Sequence, residues 1–364
     1  MKAKKIIIVG YDMPGFGGRE TVCKKLVALL SEDCPASDVS FFFINDICQE
    51  SVEINDDWLN GMSFHRIRSK IYNTKARRVH FAFLFSKFMR RENPDIIIAI
   101  DPLSCYITSL AKKLIFSKTP LFSWVYSSLD QLYKNIYATK ADYHLSISSG
   151  ITQQFIDRGV NPDKIFTIFN PVSQKSETIP QPNGNITKFL YVGRLADGHK
   201  NISGMFKALS QVHGNWELNI VGSGCDEKIL RSVADNLNIT SNIVWHGWHK
   251  EPWYYIMNEI KEIKEITALL LTSDFEGFPM VLGEANAQGI YCISSDCKTG
   301  PADIIKNEIN GELYPVDKPS ELINKLQDIV SGKKLSDSNT IKMAISNLYN
   351  SNYLKRVKSA LNIL

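Results

Sequence analysis

No run in this 364-residue chain approaches the ~18 consecutive apolar residues of a membrane-spanning helix. The basic start Met1-Lys2-Ala3-Lys4-Lys5 leads into an apolar run, Ile6 to Val9, that stops at Gly10 and is far too short for the core of a signal peptide. The chain therefore reads as neither integral nor secreted. Cysteine is sparse: seven scattered residues and no Cys-x-x-Cys pair argue against a disulfide scaffold and fit reduced thiols in the cytoplasm. Neither G-x-G-x-x-G nor Gly-Lys-Ser/Thr is present, so the dinucleotide and P-loop signatures lack their key residues. Asp-x-Asp is missing as well, and no metal held on a diphosphate is expected. Excess charge is lacking too. A formal net charge of +4 is too small to imply a nucleic-acid partner, and none is expected. Solenoid-length repeats and low-complexity tracts do not occur.

What is present is globular. Hydrophobic residues make up 44% and charged ones 22%, so the chain is expected to fold throughout, and its length points to two domains. Short β-branched runs alternate with segments of helical period: Ile6 to Val9, Ser40 to Ile44, Asp95 to Ile100, Leu121 to Val125 and Tyr143 to Ile147. A second series follows, at Phe189 to Val192, Glu217 to Val221, Ile243 to Trp245, Ala268 to Thr272 and Ile290 to Ser294. This is the pattern of an α/β chain with two Rossmann-like, doubly wound parallel sheets. Between the series, Ser173 to Thr187 has linker composition. The expected division is an N-terminal domain over 1–172, a linker over 173–187, a C-terminal domain over 188–340 and a terminal helix over 341–364, free to pack back on the N-terminal domain. Ligands of open parallel sheets bind at the carboxyl ends of the strands, so the site is expected in a cleft that the two domains face.

Four motifs follow predicted strands. Pro14-Gly15-Phe16-Gly17-Gly18-Arg19-Glu20 is a glycine-rich loop that serves equally as a tight turn or as a phosphate site at a helix N-terminus. In Gly193-Arg194-Leu195 with Lys200, two cations at one strand end suit a diphosphate leaving group, although solvated surface charge is the commoner fate of Arg and Lys. Val221-Gly222-Ser223-Gly224 and the later Gly247 permit close backbone approach, or simply turns. The fourth motif, Phe275-Glu276-Gly277-Phe278-Pro279-Met280 with Glu284, sets two carboxylates eight residues apart at a strand-to-helix junction. There they can accept hydrogen bonds from vicinal hydroxyls or merely face a helix dipole. His246 and His249, flanking Gly247 and Trp248, lack a third metal ligand nearby and read as core or base contacts.

Taken in this order, the motifs resemble those of the GT-B glycosyltransferases of family 4, whose E-x7-E element matches Glu276 to Glu284. Within that family the chain is most similar to the bacterial lipopolysaccharide core α-1,6-galactosyltransferases, through Phe278-Pro279-Met280 and through Cys292-Ile293-Ser294 to Ile305 with Asn310-Gly311. The resemblance implies a retaining hexosyltransferase moving a hexose, galactose from UDP-galactose, onto a lipopolysaccharide core oligosaccharide, with no cofactor beyond the donor. It implies an acceptor-binding N-terminal domain and a nucleotide-sugar-binding C-terminal domain, in which Arg194 and Lys200 hold the diphosphate, Glu284 the ribose and Glu276 the hexose. Gly277, Phe278 and Pro279 would supply backbone, and Gly17 and Gly18 would close on the donor. Arg194, Lys200 and Glu276 are thus the candidate catalytic residues. Gly193, Gly222, Gly247 and Trp248 join them, with Glu284 and the glycines and turn residues just named, as donor contacts. The resemblance leaves two alternatives open: a UDP-sugar transferase for another bacterial surface glycan, and a nucleotide-sugar epimerase of the same fold. One departure is visible: many members carry a histidine after the strand matching Leu121 to Val125, where this chain has Tyr126.

From Phe64 to Arg91 nine basic residues, among them Arg66, Arg77, Arg78, Arg90 and Arg91, stand with aromatics and without Asp or Glu. Such a run can dock on anionic lipid, bind phosphates of an acceptor glycan, or form an ordinary solvated face. With the resemblance, it implies a cytoplasmic protein held peripherally on the inner face of the cytoplasmic membrane.

Overall fold

The computed structural model describes residues 4–15, 17–46, 54–182, 184, 186–259 and 265–361. These fall into two compact units, one of residues 1–171 with 350–364 and one of residues 172–349.

The first unit is built on seven strands: β1 (Lys5–Tyr11), β2 (Asp38–Asp46), β3 (Ser63–Ser69), β4 (Ile96–Ala99), β5 (Leu121–Trp124), β6 (Tyr143–Ser146) and β7 (Ile165–Thr167). They pair in parallel in the order β3-β2-β1-β4-β5-β6-β7. Central strands such as Ile6-Ile7-Ile8-Val9 and Ile96-Ile97-Ile98-Ala99 are apolar on both faces because helices cover both. The helix Thr74–Glu92 buries Phe81, Phe85 and Met89 against Phe42 and Ile97. Asp101 begins the helix Pro102–Leu114 with a reciprocal cap, accepting from the Ser104 amide at 2.8 Å while Ser104 Oγ accepts from the Asp101 amide. Its second oxygen accepts from the Tyr11 amide at 3.0 Å, which ties the end of β4 to the end of β1.

The second unit carries β8 (Thr187–Val192), β9 (Trp216–Val221), β10 (Ile243–Gly247), β11 (Ala268–Leu271), β12 (Tyr291–Ser295) and β13 (Gly311–Tyr314), parallel in the order β10-β9-β8-β11-β12-β13. Phe189, Tyr191, Phe206, Leu218 and Ile293 centre its core. In each unit the winding direction reverses at one place, between β1 and β4 in the first and between β8 and β11 in the second. The crevice beyond the carboxyl ends of such a strand pair is where an open sheet accepts a ligand.

Residues 173–182, which have linker composition, lie against the second unit. Lys342 Nζ donates to the carbonyl of Glu177 and to Thr178 Oγ1, each at 2.6 Å, and the Ile179 amide donates to the Gln288 carbonyl. The terminal segment divides into the helix Ser338–Ala344 in the second unit and the helix Asn350–Leu361 in the first. The latter buries Tyr353, Val357 and Leu361, and Lys358 pairs with Asp33 at 2.6 Å.

Candidate active site

The reversal between β8 and β11 brings two loops together. Thr272 Oγ1, just past β11, donates to the carbonyls of Lys200 and Asn201 at 3.0 and 2.9 Å, and the Asp274 amide donates to the His199 carbonyl at 2.9 Å. Asn201 turns left-handed at φ 48° to make this possible. Three hydrogen bonds thus fix the backbone on either side of Lys200 and Glu276. Their side chains meet, Lys200 Nζ on Glu276 Oε1 at 2.6 Å, with 18% and 12% of each side chain exposed. Ser273 Oγ donates to the same oxygen at 2.6 Å, and Thr299 Oγ1 bonds the Glu276 carbonyl. A charge-assisted cluster of this kind is firm in geometry yet open on one side, suited to exchange its internal partner for an anion and a hydroxyl.

Arg194 has an exposed guanidinium on the same loop, with its carbonyl held by Tyr191 Oη at 2.9 Å. Gly277, Phe278 and Pro279 are buried, and Pro279 precedes the helix Met280–Ala287. The next loop explains the turn's shape: a Cβ on Gly300, which sits at φ 97°, would come within 2.6 Å of Pro279 Cδ and 2.8 Å of Phe278 Cα. Gly222 is needed for packing. At φ 154°, its Cβ would lie 1.9 Å from the Gly193 carbonyl oxygen, while its amide donates to the Gly247 carbonyl at 2.7 Å. Gly247 itself is left-handed at φ 74° with open space around it, and Trp248 beside it is 61% exposed.

Glu284 sits on the helix Met280–Ala287, half-buried, with its carboxyl end enclosed by protein. Trp253 Nε1 donates to its Oε2 at 2.9 Å. Burial raises the Glu284 pKa above the usual carboxylate value, while the Trp253 hydrogen bond and the charge of Lys175 pull the other way. His246 and His249 form a local brace. His246 Nε2 meets Asn219 Oδ1 at 2.9 Å, His249 Nε2 meets the His246 carbonyl at 3.0 Å, and the His249 ring stacks on Tyr255 at 3.3 Å. Among the described residues no three His, Cys, Asp or Glu side chains gather as metal ligands.

Ser273, Thr299 and Trp253 were not among the residues the sequence singled out. Ser273 lies three residues before Glu276 and could have been read as a donor to it. Trp253 is 31 residues from its partner, and no local pattern points to it.

In the first unit Gly17 caps the helix Gly18–Asp33, with a would-be Cβ 2.7 Å from Glu20 Oε2, whereas Gly18 has open space. Gly15, at φ 98°, is compelled: a Cβ there would meet the Asn55 carbonyl oxygen at 2.2 Å. Tyr126 points its hydroxyl at Cys23 Sγ, 3.2 Å away, and its ring packs on Trp124. Burial pushes the Cys23 thiol up to about 12 and raises the Tyr126 hydroxyl well above its usual value, so both are neutral.

The basic run needs correction. Arg66 is committed to Asp12 and Asp56, both outside the run, at 2.7 and 2.8 Å. Arg77 is buried and donates to the carbonyls of Ile71 and Tyr72 at 3.0 and 3.3 Å. Both guanidiniums are engaged within the fold, because a basic run in sequence does not show which acids and carbonyls the fold returns to it. Arg78 is half-buried near the Tyr137 ring, and Arg90 and Arg91 are exposed, Arg91 beside Glu92. Among the described residues no helix is long and apolar enough to cross a membrane.

Comparison with known proteins agrees with this fold. The sequence model of the family described as "Glycosyl transferases group 1" matches residues 173–344. The lipopolysaccharide 1,6-galactosyltransferase of Escherichia coli K12 is 39% identical over 355 residues, covering 97% of this chain and 96% of that protein. Its counterpart in Salmonella typhimurium is 36% identical over 359 residues, covering 98% of each. Among solved structures, the apo form of the lipopolysaccharide outer core galactosyltransferase WaaB superposes with a TM-score of 0.92 at 36% identity, over 99% of both chains. Anabaena HepE in complex with UDP superposes at 0.76 over 99% of this chain and 100% of its own, and at 15% identity it speaks to the fold alone.

Proposed function

The chain belongs to the group 1 glycosyltransferases, sugar-transferring enzymes of GT-B fold. On that premise we propose that it moves galactose from UDP-galactose, with retention of anomeric configuration, onto the core oligosaccharide of lipopolysaccharide. The observation that carries this reading is the Lys200–Glu276 pair at the β8/β11 reversal, on a chain similar from end to end to two lipopolysaccharide 1,6-galactosyltransferases. The donor diphosphate takes Lys200 Nζ from Glu276 and adds the exposed Arg194. Glu276, freed on one oxygen and still held by Ser273, accepts from a hydroxyl of the hexose, while Glu284 accepts from the ribose.

In the transfer, the bond from the anomeric carbon to the diphosphate oxygen breaks as an acceptor hydroxyl oxygen bonds to the same carbon from the same face. The acceptor proton passes to an oxygen of the departing diphosphate. Lys200 and Arg194 stabilise the charge that develops there, a task two fixed cations perform without proton transfer. Under this reading no divalent ion is required. The exposed part of the basic run, with Arg90 and Arg91, holds the enzyme on the anionic cytoplasmic face of the membrane, where the lipid-linked acceptor resides.

Incubating the pure protein with a panel of radiolabelled nucleotide sugars and truncated lipopolysaccharide acceptors, with and without EDTA, tests the proposal. Transfer from UDP-galactose in both conditions supports it. Preference for another donor, EDTA-sensitive transfer, or epimerisation of the donor without transfer would each overturn the corresponding part.

A further inference from the structure

Glu284 Oε2 accepts from Trp253, whereas Oε1 has no hydrogen-bond partner among the described residues. Trp253 lies on a short helical turn, Pro252–Tyr254, that runs directly into a π-helical turn, Tyr255–Glu259, a rare geometry frequent at functional sites. The segment is clamped. Tyr255 stacks on His249 at 3.3 Å, Tyr255 Oη lies 3.4 Å from His246 Nδ1, His246 is held in turn by Asn219 on β9, and Ile256 is fully buried. The indole is therefore presented from a braced turn beyond β10, on the opposite flank of the sheet centre from the helix that carries Glu284.

We infer that Trp253 is a positioning residue of the donor site: its indole N–H fixes Glu284 by one carboxylate oxygen, so that the other is aimed at a ribose hydroxyl of the nucleotide. This rests on the reading of Glu284 as the ribose contact. A carboxylate that must accept from a sugar hydroxyl has to be ionised and oriented, and enclosure opposes the first while side-chain rotation opposes the second. One charge-assisted hydrogen bond answers both. The indole is suited to the task because it only donates, so, unlike a hydroxyl side chain, it cannot accept from the ribose hydroxyl in the carboxylate's place. Lys175 is the charged group that acts on Glu284 together with it.

The test compares binding of UDP and 2′-deoxy-UDP by calorimetry for wild type, E284Q, W253F and W253H. Wild type is expected to favour UDP by about tenfold, the value of one hydrogen bond to a charged group, and E284Q to shrink that preference below about twofold. W253F keeps the ring and loses the donor. It is expected to weaken UDP by about fivefold or more, to change 2′-deoxy-UDP by less than about twofold, and to move the acid limb of UDP binding to higher pH. W253H, which keeps an N–H, is expected to restore most of the preference. Equal weakening of both nucleotides by W253F, or an unchanged preference, overturns the inference. If W253F does not fold, W253H decides: a retained preference supports the role, and a collapsed one in a folded protein overturns it. Absence of any preference in wild type, or its survival in E284Q, instead overturns the assignment of Glu284 to the ribose.

Discussion

Replacing Lys200 with methionine keeps the stem of the side chain and removes its charge. Two losses follow, and the structure separates them. Glu276 Oε1 loses a 2.6 Å partner but keeps Ser273 Oγ, and the pair retains 18% and 12% side-chain exposure, so water can reach what is left. Breaking a fully buried pair costs ~3–5 kcal/mol; with one donor remaining and partial access to water, about 1–2 kcal/mol is expected here. For a unit of this size that lowers the melting midpoint by roughly 2–8 °C, leaving the enzyme folded at assay temperature. The catalytic loss is larger. A fixed charge aimed at a developing anion is worth ~2.7–4 kcal/mol, so kcat is expected to fall by about 10²–10³. Radiolabelled galactose transfer and a melting curve on the same preparation give both numbers. Glu276→Gln, which loses the charge but keeps a hydrogen-bonding group, is expected to cost less than Lys200→Met at the melting midpoint. A folded Lys200→Met enzyme whose kcat stays within about threefold of wild type would refute the placing of Lys200 on the leaving group.

Other expectations follow from features already described. His144 is buried, with Nδ1 2.7 Å from Ser123 Oγ, and burial lowers its pKa from 6.5 to about 4. The unfolded chain therefore takes up a proton between these values that the folded one refuses, and up to about 3 kcal/mol of stability is lost as pH falls from 6.5 to 4. Urea midpoints across that range should show the slope in wild type and a shallower one in His144→Asn; identical slopes would dismiss the histidine as its source. Gly222→Ala drives a Cβ into the Gly193 carbonyl, 1.9 Å away, and is expected to cost roughly 2 kcal/mol or more, so an unchanged melting curve would contradict the loop packing. Arg90→Glu with Arg91→Glu should reduce co-sedimentation with phosphatidylglycerol vesicles about tenfold or more without altering UDP binding, at ~1 kcal/mol per cation. Unchanged sedimentation would remove the docking role. Arg77→Glu should instead unfold the first unit, since its guanidinium is enclosed by carbonyls.

The sheets were legible where burial is two-sided. Most central strands announced themselves as short apolar runs, since a strand covered on both faces has no reason to alternate, although β6 and β9 carry polar residues within theirs. The three strands that escaped notice, β3, β7 and β13, are all edge strands. The first reads Ser-Phe-His-Arg-Ile-Arg-Ser with one face in solvent, the second has three residues, and the third carries Glu312, whose burial depends on Lys333 arriving at 2.5 Å from a later helix end. At the site, Lys200 and Glu276 could be named from their places after strands, but not their contact. That depends on Thr272 bonding the Lys200 and Asn201 carbonyls, pairings across 72 and 71 residues of chain that no periodicity encodes. Arg66 and Arg77 show the converse. Composition made them part of a free basic surface, and only the fold supplies the acids and carbonyls that occupy them.

The helix Asn350–Leu361 completes the first unit after the chain has already built the second. During synthesis the amino-terminal sheet therefore emerges early yet waits, with the places of Tyr353, Val357 and Leu361 unfilled and Asp33 unpaired, until some 180 further residues have been made. Maturation is consequently not domain by domain. The carboxyl-terminal unit can close while its elder neighbour is still unsealed, and a chain interrupted shortly before residue 350 would carry a finished second unit attached to an unfinished first unit. Separate expression of residues 1–171 should accordingly yield a protein prone to aggregation, and addition of a peptide spanning 350–361 should improve its solubility.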